Sequence, residues 1–195
     1  MKSLGFYLAA GLILFGCSTG DDKNESESPK VRQERPEVVM ETTMGIITLE
    51  LFPDAAPKHV ERFLDLVDDG FYNGLTFHRA LKGSLIQGGD PRGDGTGNAG
   101  TTIPAEISNL QHLPGTLAMA RGEDPNSASC QFYICLTQIP ALDGKYTVFG
   151  QVVEGLDVAD KISRVEVKIN PAIGNEKSLP VQPVRIISVQ VKSKG

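Results

Sequence analysis

The pattern of hydrophobic and polar positions predicts a β-hairpin and then a helix at the start of the folded region. Residues 38–51 (VVMETTMGIITLEL) alternate apolar and polar side chains on either side of a turn at Met44-Gly45. Residues 57–69 instead repeat apolar side chains at helical spacing, with Pro57 suited to the first turn and Gly70 able to end the helix. This helix therefore has one apolar face, formed by Val60, Phe63, Leu64 and Val67.

Short apolar segments separated by turn residues predict a mainly β architecture for the rest of the domain. We expect a hairpin over residues 77–89, strands near 115–120, 131–136 and 147–153, and a closing strand over 184–191. Residues 154–164 form a second helix, with Leu156, Ala159 and Ile162 on its buried face. Many short strands with two helices predict a closed antiparallel β-barrel capped by the helices.

The hairpin within residues 75–90 (LTFHRALKGSLIQGGD) places a charged residue among apolar ones. If Gly83 is its centre, paired residues have numbers that sum to a constant, so Arg79 faces Gln87 on one sheet face. Phe77 and Leu81 flank Arg79 on that face by the two-residue period of a strand. A guanidinium and a carboxamide beside an aromatic ring could bind a peptide backbone. The alternative is a solvated surface arginine whose stem lies on apolar neighbours.

The N-terminus has the pattern of an export signal. Lys2 precedes an apolar run over residues 4–15, which is shorter than the about 20 residues of a transmembrane helix, so residues 1–16 are predicted to be a signal peptide. The stretch Leu14-Phe15-Gly16-Cys17 resembles a bacterial lipobox, in which Cys17 is the site of lipid attachment; Phe15 departs from the usual small or aliphatic residue. An ordinary secretory signal with an incidental cysteine is the alternative.

Residues 17–36 are predicted to be a disordered tether. From residue 18 they are polar, mixed in charge and nearly free of large apolar groups (STGDDKNESESPKVRQERP), so they cannot bury enough surface to become ordered. The folded domain is expected over residues 37–192. This organisation predicts a domain anchored by lipid in the bacterial cell envelope, facing the periplasm or the exterior.

Composition narrows the functional classes. The chain has 195 residues, a net charge of -5 and no basic run, which argues against nucleic-acid binding. Cys130 and Cys135 lie in one predicted strand (SCQFYICL). Their separation along it is roughly 16 Å at about 3.3 Å per residue, beyond the roughly 7 Å that a disulfide spans between Cα atoms. We therefore expect no intrachain disulfide.

Several chemical motifs are absent or incomplete. The segment 93–100 (GDGTGNAG) has a formal GxGxxG, but it lacks the preceding strand and following helix of a dinucleotide site. It also lacks the Lys of a P-loop. A tight surface loop is therefore favoured. The three histidines share no metal-ligand spacing: His59 is expected on a helix surface and His78 in a structural role, while His112 has no assigned role. Without a nucleophile elbow, covalent catalysis has no candidate, and no metal or cofactor is expected.

In combination, seven short motifs resemble the cyclophilin family of peptidyl-prolyl cis-trans isomerases. They are Phe77-His78-Arg79, Gln87-Gly88-Gly89-Asp90, Gly93-Asp94-Gly95-Thr96-Gly97, Gly115-Thr116-Leu117-Ala118-Met119-Ala120, Gln131-Phe132-Tyr133-Ile134, Leu142-Asp143-Gly144-Lys145 and Val148-Phe149-Gly150. The resemblance covers residues 37–192 and implies an eight-stranded antiparallel barrel with two capping helices.

The resemblance also implies site residues. Arg79 is similar to the family's catalytic arginine and Gln87 to the glutamine that holds the substrate backbone. The wall of the proline pocket is matched by Phe77, Leu85, Tyr133 and Leu142. The rest of the peptide-binding surface is matched by Ala120, Arg121, Gln131 and Tyr146. The expected partners are prolyl-containing polypeptides, bound by a monomer without a cofactor.

Three departures from the family pattern affect the expected site. Ser84 stands where an aromatic residue usually lines the proline pocket, and Tyr133 replaces the commoner phenylalanine. Ala141 stands where cyclosporin-sensitive members carry tryptophan, and the chain has no Trp. The favoured function is isomerisation of X-Pro bonds in exported proteins; the alternative is a proline-peptide binding or chaperone module with weak or no turnover.

Overall fold

The computed structural model describes residues 35–193. The predicted signal peptide, the acylation site at Cys17 and nearly all of the predicted tether lie outside the described residues. Within residues 35–193 no helix has both the length and the apolar character needed to cross a membrane.

Within residues 35–193 the strands are β1 (Glu37–Thr42), β2 (Gly45–Leu51), β3 (Arg79–Leu81), β4 (Leu85–Gly88), β5 (Thr116–Met119), β6 (Phe132–Cys135), β7 (Val148–Glu154), β8 (Val167–Asn170), β9 (Glu176–Pro180) and β10 (Ile186–Val191). Eight of them form one antiparallel sheet, in the order β10-β1-β2-β7-β5-β6-β4-β3. A separate two-stranded hairpin is formed by β8 and β9. The strands predicted from alternation are confirmed, with ends that differ by one to two residues.

The predicted closed barrel is wrong, because the sheet is a curled half-barrel. Its two edge strands are β3 and β10, which share no ladder. They approach each other only through the segment before β3, where Thr76 forms an isolated bridge with Arg185. Since β3 has three residues and the regular strand begins at Arg79 rather than Phe77, the ladder is too short to close the barrel.

Two helices flank the sheet, as predicted. The first, α1 (Pro57–Asp68), buries Phe63 against an aromatic cluster at centroid distances of 5.0 Å to Tyr72 and 5.3 Å to Phe149. The second, α2 (Leu156–Ser163), buries Ala159 and Ile162. His59, expected on the surface of α1, is instead fully buried, and its Nδ1 lies 2.7 Å from Glu106 Oε2. The surface expectation failed because it took no account of the acidic partner supplied by a distant loop.

Alternation along β4, β5 and β6 separates two apolar clusters. Phe132 and Ile134 point into the main core between the sheet and α1, whereas Tyr133 and Cys135 point to the other face. The smaller cluster on that second face consists of Phe52, Leu85, Ala118, Tyr133, Cys135 and Val148. The second face therefore carries its own apolar surface, and the residues proposed for substrate binding gather there.

Both cysteines of the described region are buried free thiols. Cys135 ends β6, whereas Cys130 precedes that strand and was wrongly included in it. Burial raises the pKa of Cys130 to about 11 and that of Cys135 to about 12. Neither thiol is therefore a ready nucleophile at neutral pH.

Candidate active site

The β3–β4 hairpin places Arg79 directly opposite Gln87. The paired positions are Arg79 with Gln87, Ala80 with Ile86 and Leu81 with Leu85. Gly83 occupies the turn with φ +66°, a conformation that favours glycine. The guanidinium Nη1 donates to Gln87 Oε1 at 3.4 Å. The predicted register is confirmed, and the catalytic and backbone-binding candidates are neighbours on one face.

Gln87 also takes part in a chain of hydrogen bonds that runs from Arg79 to Gln131. Its Nε2 donates to Oε1 of Gln131 at 3.0 Å. Gln131 in turn donates from Nε2 to the carbonyl oxygens of Gly95 at 3.1 Å and Gly97 at 2.7 Å. Because each amide accepts on one side and donates on the other, both carboxamides have defined orientations. The chain therefore links Arg79 to the glycine-rich loop.

The glycine-rich loop is wrapped around a buried carboxylate. Asp90 accepts hydrogen bonds from the backbone N–H groups of Arg92 at 2.9 Å and Asp94 at 3.0 Å. Gly95 has φ +98°, and a side chain on Gly97 would collide with the Asp90 carboxylate. The glycines thus serve close packing and positive φ angles, so the interpretation as a tight loop is confirmed.

Sequence reasoning missed a partner of Arg79. Glu176, the first residue of β9, accepts from Arg79 Nε through Oε1 at 2.7 Å and from Nη2 through Oε2 at 2.8 Å. The adjacent guanidinium lowers the pKa of Glu176, mainly through these hydrogen bonds. The carboxylate is therefore ionised at neutral pH and holds two of the three guanidinium nitrogens. No sequence motif signals this contact, since the two residues are far apart in the chain and the β8–β9 hairpin was not predicted.

Most of the predicted wall of the proline pocket meets in one apolar cluster. Leu85 and Tyr133 are buried in the smaller cluster, and Leu142 and Tyr146 pack against it. Ala120 and Leu81 join the same cluster. Because Tyr133 pairs with Gln87 across the strands, this predicted pocket shares a sheet face with the polar row.

Phe77 does not belong to this pocket, contrary to prediction. It is 1% exposed, lies in the main core and packs edge-to-face on Phe132 at a centroid distance of 6.3 Å. The two-residue period was extended back from Arg79, but regular strand geometry begins only at Arg79. Phe77 therefore packs in the main core and does not line the groove.

The tyrosine of the pocket is held by two further residues. Tyr133 Oη lies 2.9 Å from Nε2 of His112, and the two rings stack. The other ring nitrogen of His112, Nδ1, lies 2.8 Å from Oδ1 of Asp143. The backbone N–H of His112 also donates to Asp143 Oδ1 at 2.8 Å, and this bond, together with the side-chain contact, lowers the pKa of Asp143. His112 had only been assessed for metal-ligand spacing, so this chain was missed.

The remaining predicted residues lie around the rim. Ser84 is half-buried at the start of the return strand, and its carbonyl accepts from the N–H of Leu136 at 2.7 Å. Ala141 is exposed in the 3₁₀ turn Pro140–Leu142. Arg121 stacks on the ring of Tyr146 at 4.7 Å. The rim therefore offers a small residue at two of the three departures from the family pattern, Ser84 and Ala141.

A groove of about 410 Å³ extends from the polar row along the glycine-rich loop. Its lining includes Gln87 and Gln131, Ala120 and Arg121, and the 95–98 segment. Ile173, in the turn between β8 and β9, also contributes to the lining. The groove therefore borders both glutamines of the hydrogen-bonded row.

The described residues offer acid, base and metal chemistry little support at this site. No group of three or more His, Cys, Asp and Glu side chains within residues 35–193 is arranged to hold a metal ion. His78 is fully buried, and burial lowers its pKa. What the site presents is an arginine held by a carboxylate, two ordered amides and an apolar cluster.

Comparison with known proteins agrees with this architecture. Residues 37–191 match the family model described as cyclophilin type peptidyl-prolyl cis-trans isomerase/CLD. The chain is 43% identical over 144 residues to a peptidyl-prolyl cis-trans isomerase of Synechococcus elongatus, covering 70% of this chain and 99% of that protein. It is 41% identical over 150 residues to a probable peptidyl-prolyl cis-trans isomerase of Brucella suis, covering 71% and 76% respectively.

Solved structures show the same fold. A cyclophilin type peptidyl-prolyl cis-trans isomerase of Cryptosporidium parvum superposes with a TM-score of 0.75 at 29% identity, covering 83% of this chain and all (100%) of that one. The structure of that protein in the presence of the dipeptide Ala-Pro gives a TM-score of 0.74 at 30% identity, covering 81% and 99%. The chain belongs to the cyclophilin-type peptidyl-prolyl cis-trans isomerases and is an enzyme of that class.

Proposed function

We propose that Arg79 catalyses rotation about X-Pro bonds by donating a hydrogen bond to the proline nitrogen in the twisted transition state. Amide resonance gives the rotation a barrier of about 18–20 kcal/mol. When the bond twists, the nitrogen becomes pyramidal and regains a lone pair, which a guanidinium N–H can bind. The planar ground state offers no such acceptor, so the contact is stronger in the transition state, as catalysis requires.

The single observation that carries this role is the position of Arg79. Its side chain is 26% exposed, and its guanidinium is held on one side by Glu176 and reaches Gln87 through Nη1. Gln87 in turn lines the groove and pairs with Tyr133 of the predicted pocket. In this arrangement the pocket of Leu85, Tyr133 and Leu142 grips the proline ring. Gln87 and the backbone near Ala120 hold the residues that precede the proline.

We further propose that the enzyme is a monomer anchored by lipid in a bacterial cell envelope, where it assists the folding of exported proteins. The support is the order of segments: a short apolar run, Leu14-Phe15-Gly16-Cys17, a polar stretch and then a domain whose first strand begins at Glu37. X-Pro isomerisation takes tens to hundreds of seconds without catalysis. An isomerase held near the site of export would shorten this step.

Two experiments test these proposals separately. A prolyl-peptide isomerisation assay on the full-length chain in detergent tests catalysis; binding of prolyl peptides without turnover would favour the binding-module alternative. Metabolic labelling with palmitate and membrane fractionation test the anchor. We expect Cys17→Ser to abolish labelling and release the protein, because Cys17 is the proposed site of lipid attachment and a chain without acyl groups has no stable anchor. Ser28→Ala serves as the control, and a wild-type protein that is unlabelled and soluble would contradict the anchor.

A further inference from the structure

We infer that Glu176 is a positioning residue that fixes the orientation of the Arg79 guanidinium for isomerisation. This inference rests on the proposed catalytic role of Arg79. The two side chains form a bidentate pair, with Nε to Oε1 at 2.7 Å and Nη2 to Oε2 at 2.8 Å. Paired N–H to oxygen bonds of this kind fix the plane of the guanidinium as well as its distance.

The pair leaves the remaining donors free on the substrate side. Glu176 occupies Nε and one N–H of Nη2, whereas Nη1 points towards Gln87 at 3.4 Å. That long contact leaves Nη1 able to donate to a bound peptide. A single interaction with Gln87 would not define the orientation of a long and flexible side chain, but the carboxylate on the opposite edge does.

The β8–β9 hairpin that carries Glu176 is anchored by contacts that do not involve Arg79. Asn170, which ends β8 and is 1% exposed, donates from Nδ2 to the carbonyl of Asp94 at 2.9 Å. Its Oδ1 accepts from the N–H of Ala172 at 3.1 Å, which fixes the turn Pro171–Ile173. Ile173 packs against Gly95 of the glycine-rich loop. The β8–β9 hairpin is therefore anchored to the loop, so it can act as a fixed support for the arginine.

The expected role is catalytic positioning rather than fold stability. Arg79 and Glu176 have side-chain exposures of 26% and 33%, and partly exposed ion pairs contribute little to stability. A catalytic donor, in contrast, loses effect when its orientation is no longer fixed before the substrate arrives. The opposite hypothesis is that Glu176 competes with substrate for the guanidinium, in which case its removal would raise activity.

The test is Glu176→Gln in the full-length chain, with Glu176→Ala as a second variant. The amide keeps the shape of the carboxylate but accepts through one oxygen only. We expect kcat to fall about 10-fold, the lower end of the range for residues that orient metal ligands, which is a comparable supporting role. KM should change less than about twofold, because Glu176 is inferred to act through Arg79 rather than on the peptide. Glu166→Gln, an exposed residue before β8, makes the same charge change away from the site and should match the wild type.

A double-mutant cycle separates positioning from a general structural effect. If Glu176 acts through Arg79, Glu176→Gln should cause no further loss in the Arg79→Ala background. An additive loss, or a wild-type or increased kcat in the single variant, would overturn the inference. If Arg79→Ala alone retains full activity, the proposed catalytic role of Arg79 is wrong and the positioning role of Glu176 is wrong with it. If Arg79→Ala loses activity but Glu176→Gln does not, only the positioning role of Glu176 is wrong. Near-ultraviolet circular dichroism checks that each variant is folded.

Discussion

The hydroxyl of Tyr133 lies 2.9 Å from Nε2 of His112, and both residues are buried. With the proton on Nδ1 donated to Asp143, Nε2 is an acceptor and the tyrosine hydroxyl donates to it. Burial raises the pKa of Tyr133, so the hydroxyl keeps its proton. The ring of Tyr133 is thus fixed by hydrogen bonds that run through His112 to the carboxylate of Asp143.

We predict that Tyr133→Phe destabilises the protein although it restores the commoner residue of the family. The change leaves Nε2 of His112 buried without its partner, which costs about 1–3 kcal/mol. The measurement is the free energy of unfolding from urea denaturation. Tyr146→Phe removes a hydroxyl from a half-buried ring nearby and should change stability by less than about 0.5 kcal/mol. A fully stable Tyr133→Phe protein would show that the hydrogen bond contributes nothing.

We predict that Arg79→Ala lowers kcat far more than peptide affinity. Loss of one preorganised donor in the comparable oxyanion holes costs a factor of about 10²–10³, and we expect the lower half of that range because Arg79 remains partly exposed to water. Arg79→Lys should rescue poorly, because an ammonium lacks the planar fork that Glu176 and Gln87 hold. Arg185→Ala, an exposed arginine before β10, is the control. Near-normal turnover of Arg79→Ala would assign catalysis to another group.

Local patterns predicted the parts of the site that lie within one hairpin or one motif. Gly83 at the centre of the β3–β4 hairpin fixed the pairing of Arg79 with Gln87, because register in a short hairpin follows from its turn. Alternation along β6 likewise placed Tyr133 on the face opposite Phe132. These features depend on neighbours in the chain, so the sequence contains them directly.

Contacts between distant segments could not be predicted in this way. Glu176 lies 97 positions from Arg79 in a hairpin that alternates too weakly to suggest strands, since its exposed residues include Ile169 and its polar Ser178 is buried. His112 meets Tyr133 only because the loop before β5 folds over the second face of the sheet. Phe77 was misplaced for a related reason, since it precedes the regular strand, which begins only at Arg79. Tertiary packing, not local preference, decides each of these cases.

We predict that stability falls as the pH is lowered from about 7 towards 5, because of the buried histidines. Burial lowers the pKa values of His59 and His78 below their ordinary value of 6.5, and for His59 it outweighs the opposing effect of Glu106. Below pH 6.5 the unfolded chain therefore binds protons that the folded chain excludes. The stability that the two neutral histidines contribute is fully present above their pKa in the unfolded chain. It is lost as the pH falls through their lower pKa values in the folded chain.

The measurement is the free energy of unfolding in urea at pH 7.5, 6.5 and 5.5. The slope can reach about 1.4 kcal/mol per pH unit for each histidine. His78→Gln should have a shallower slope than the wild type, whatever its absolute stability. The lowered pKa values of Asp143 and Glu176 act only in the more acidic range, so they do not contribute to this window. A flat profile between pH 7.5 and 5.5 would contradict the prediction.

Finally, we predict weak inhibition by cyclosporin and a high KM for short prolyl peptides. Both expectations follow from the small residues at the rim, where the family resemblance places an aromatic residue at Ser84 and, in sensitive members, a tryptophan at Ala141. Ala141 is exposed directly before Leu142, and its methyl group covers less of the rim than a tryptophan would. At about 25 cal/mol per Å², a lost contact of some tens of Å² weakens binding by roughly 1 kcal/mol.

Replacing each small residue separates the two effects. Ala141→Trp should strengthen cyclosporin inhibition, because it restores a flat apolar surface and an indole N–H at the rim. Ser84→Phe should lower KM for short peptides by about 5-fold, the equivalent of roughly 1 kcal/mol. Thr102→Phe adds the same ring at an exposed position away from the pocket and should change neither. If Tyr146 or Leu81 already fills the space beside Ser84, then Ser84→Phe would overpack the site and lower the melting temperature instead. Tight cyclosporin inhibition of the unmodified protein would show that the groove is complete without the tryptophan, and this account of the rim would then be wrong.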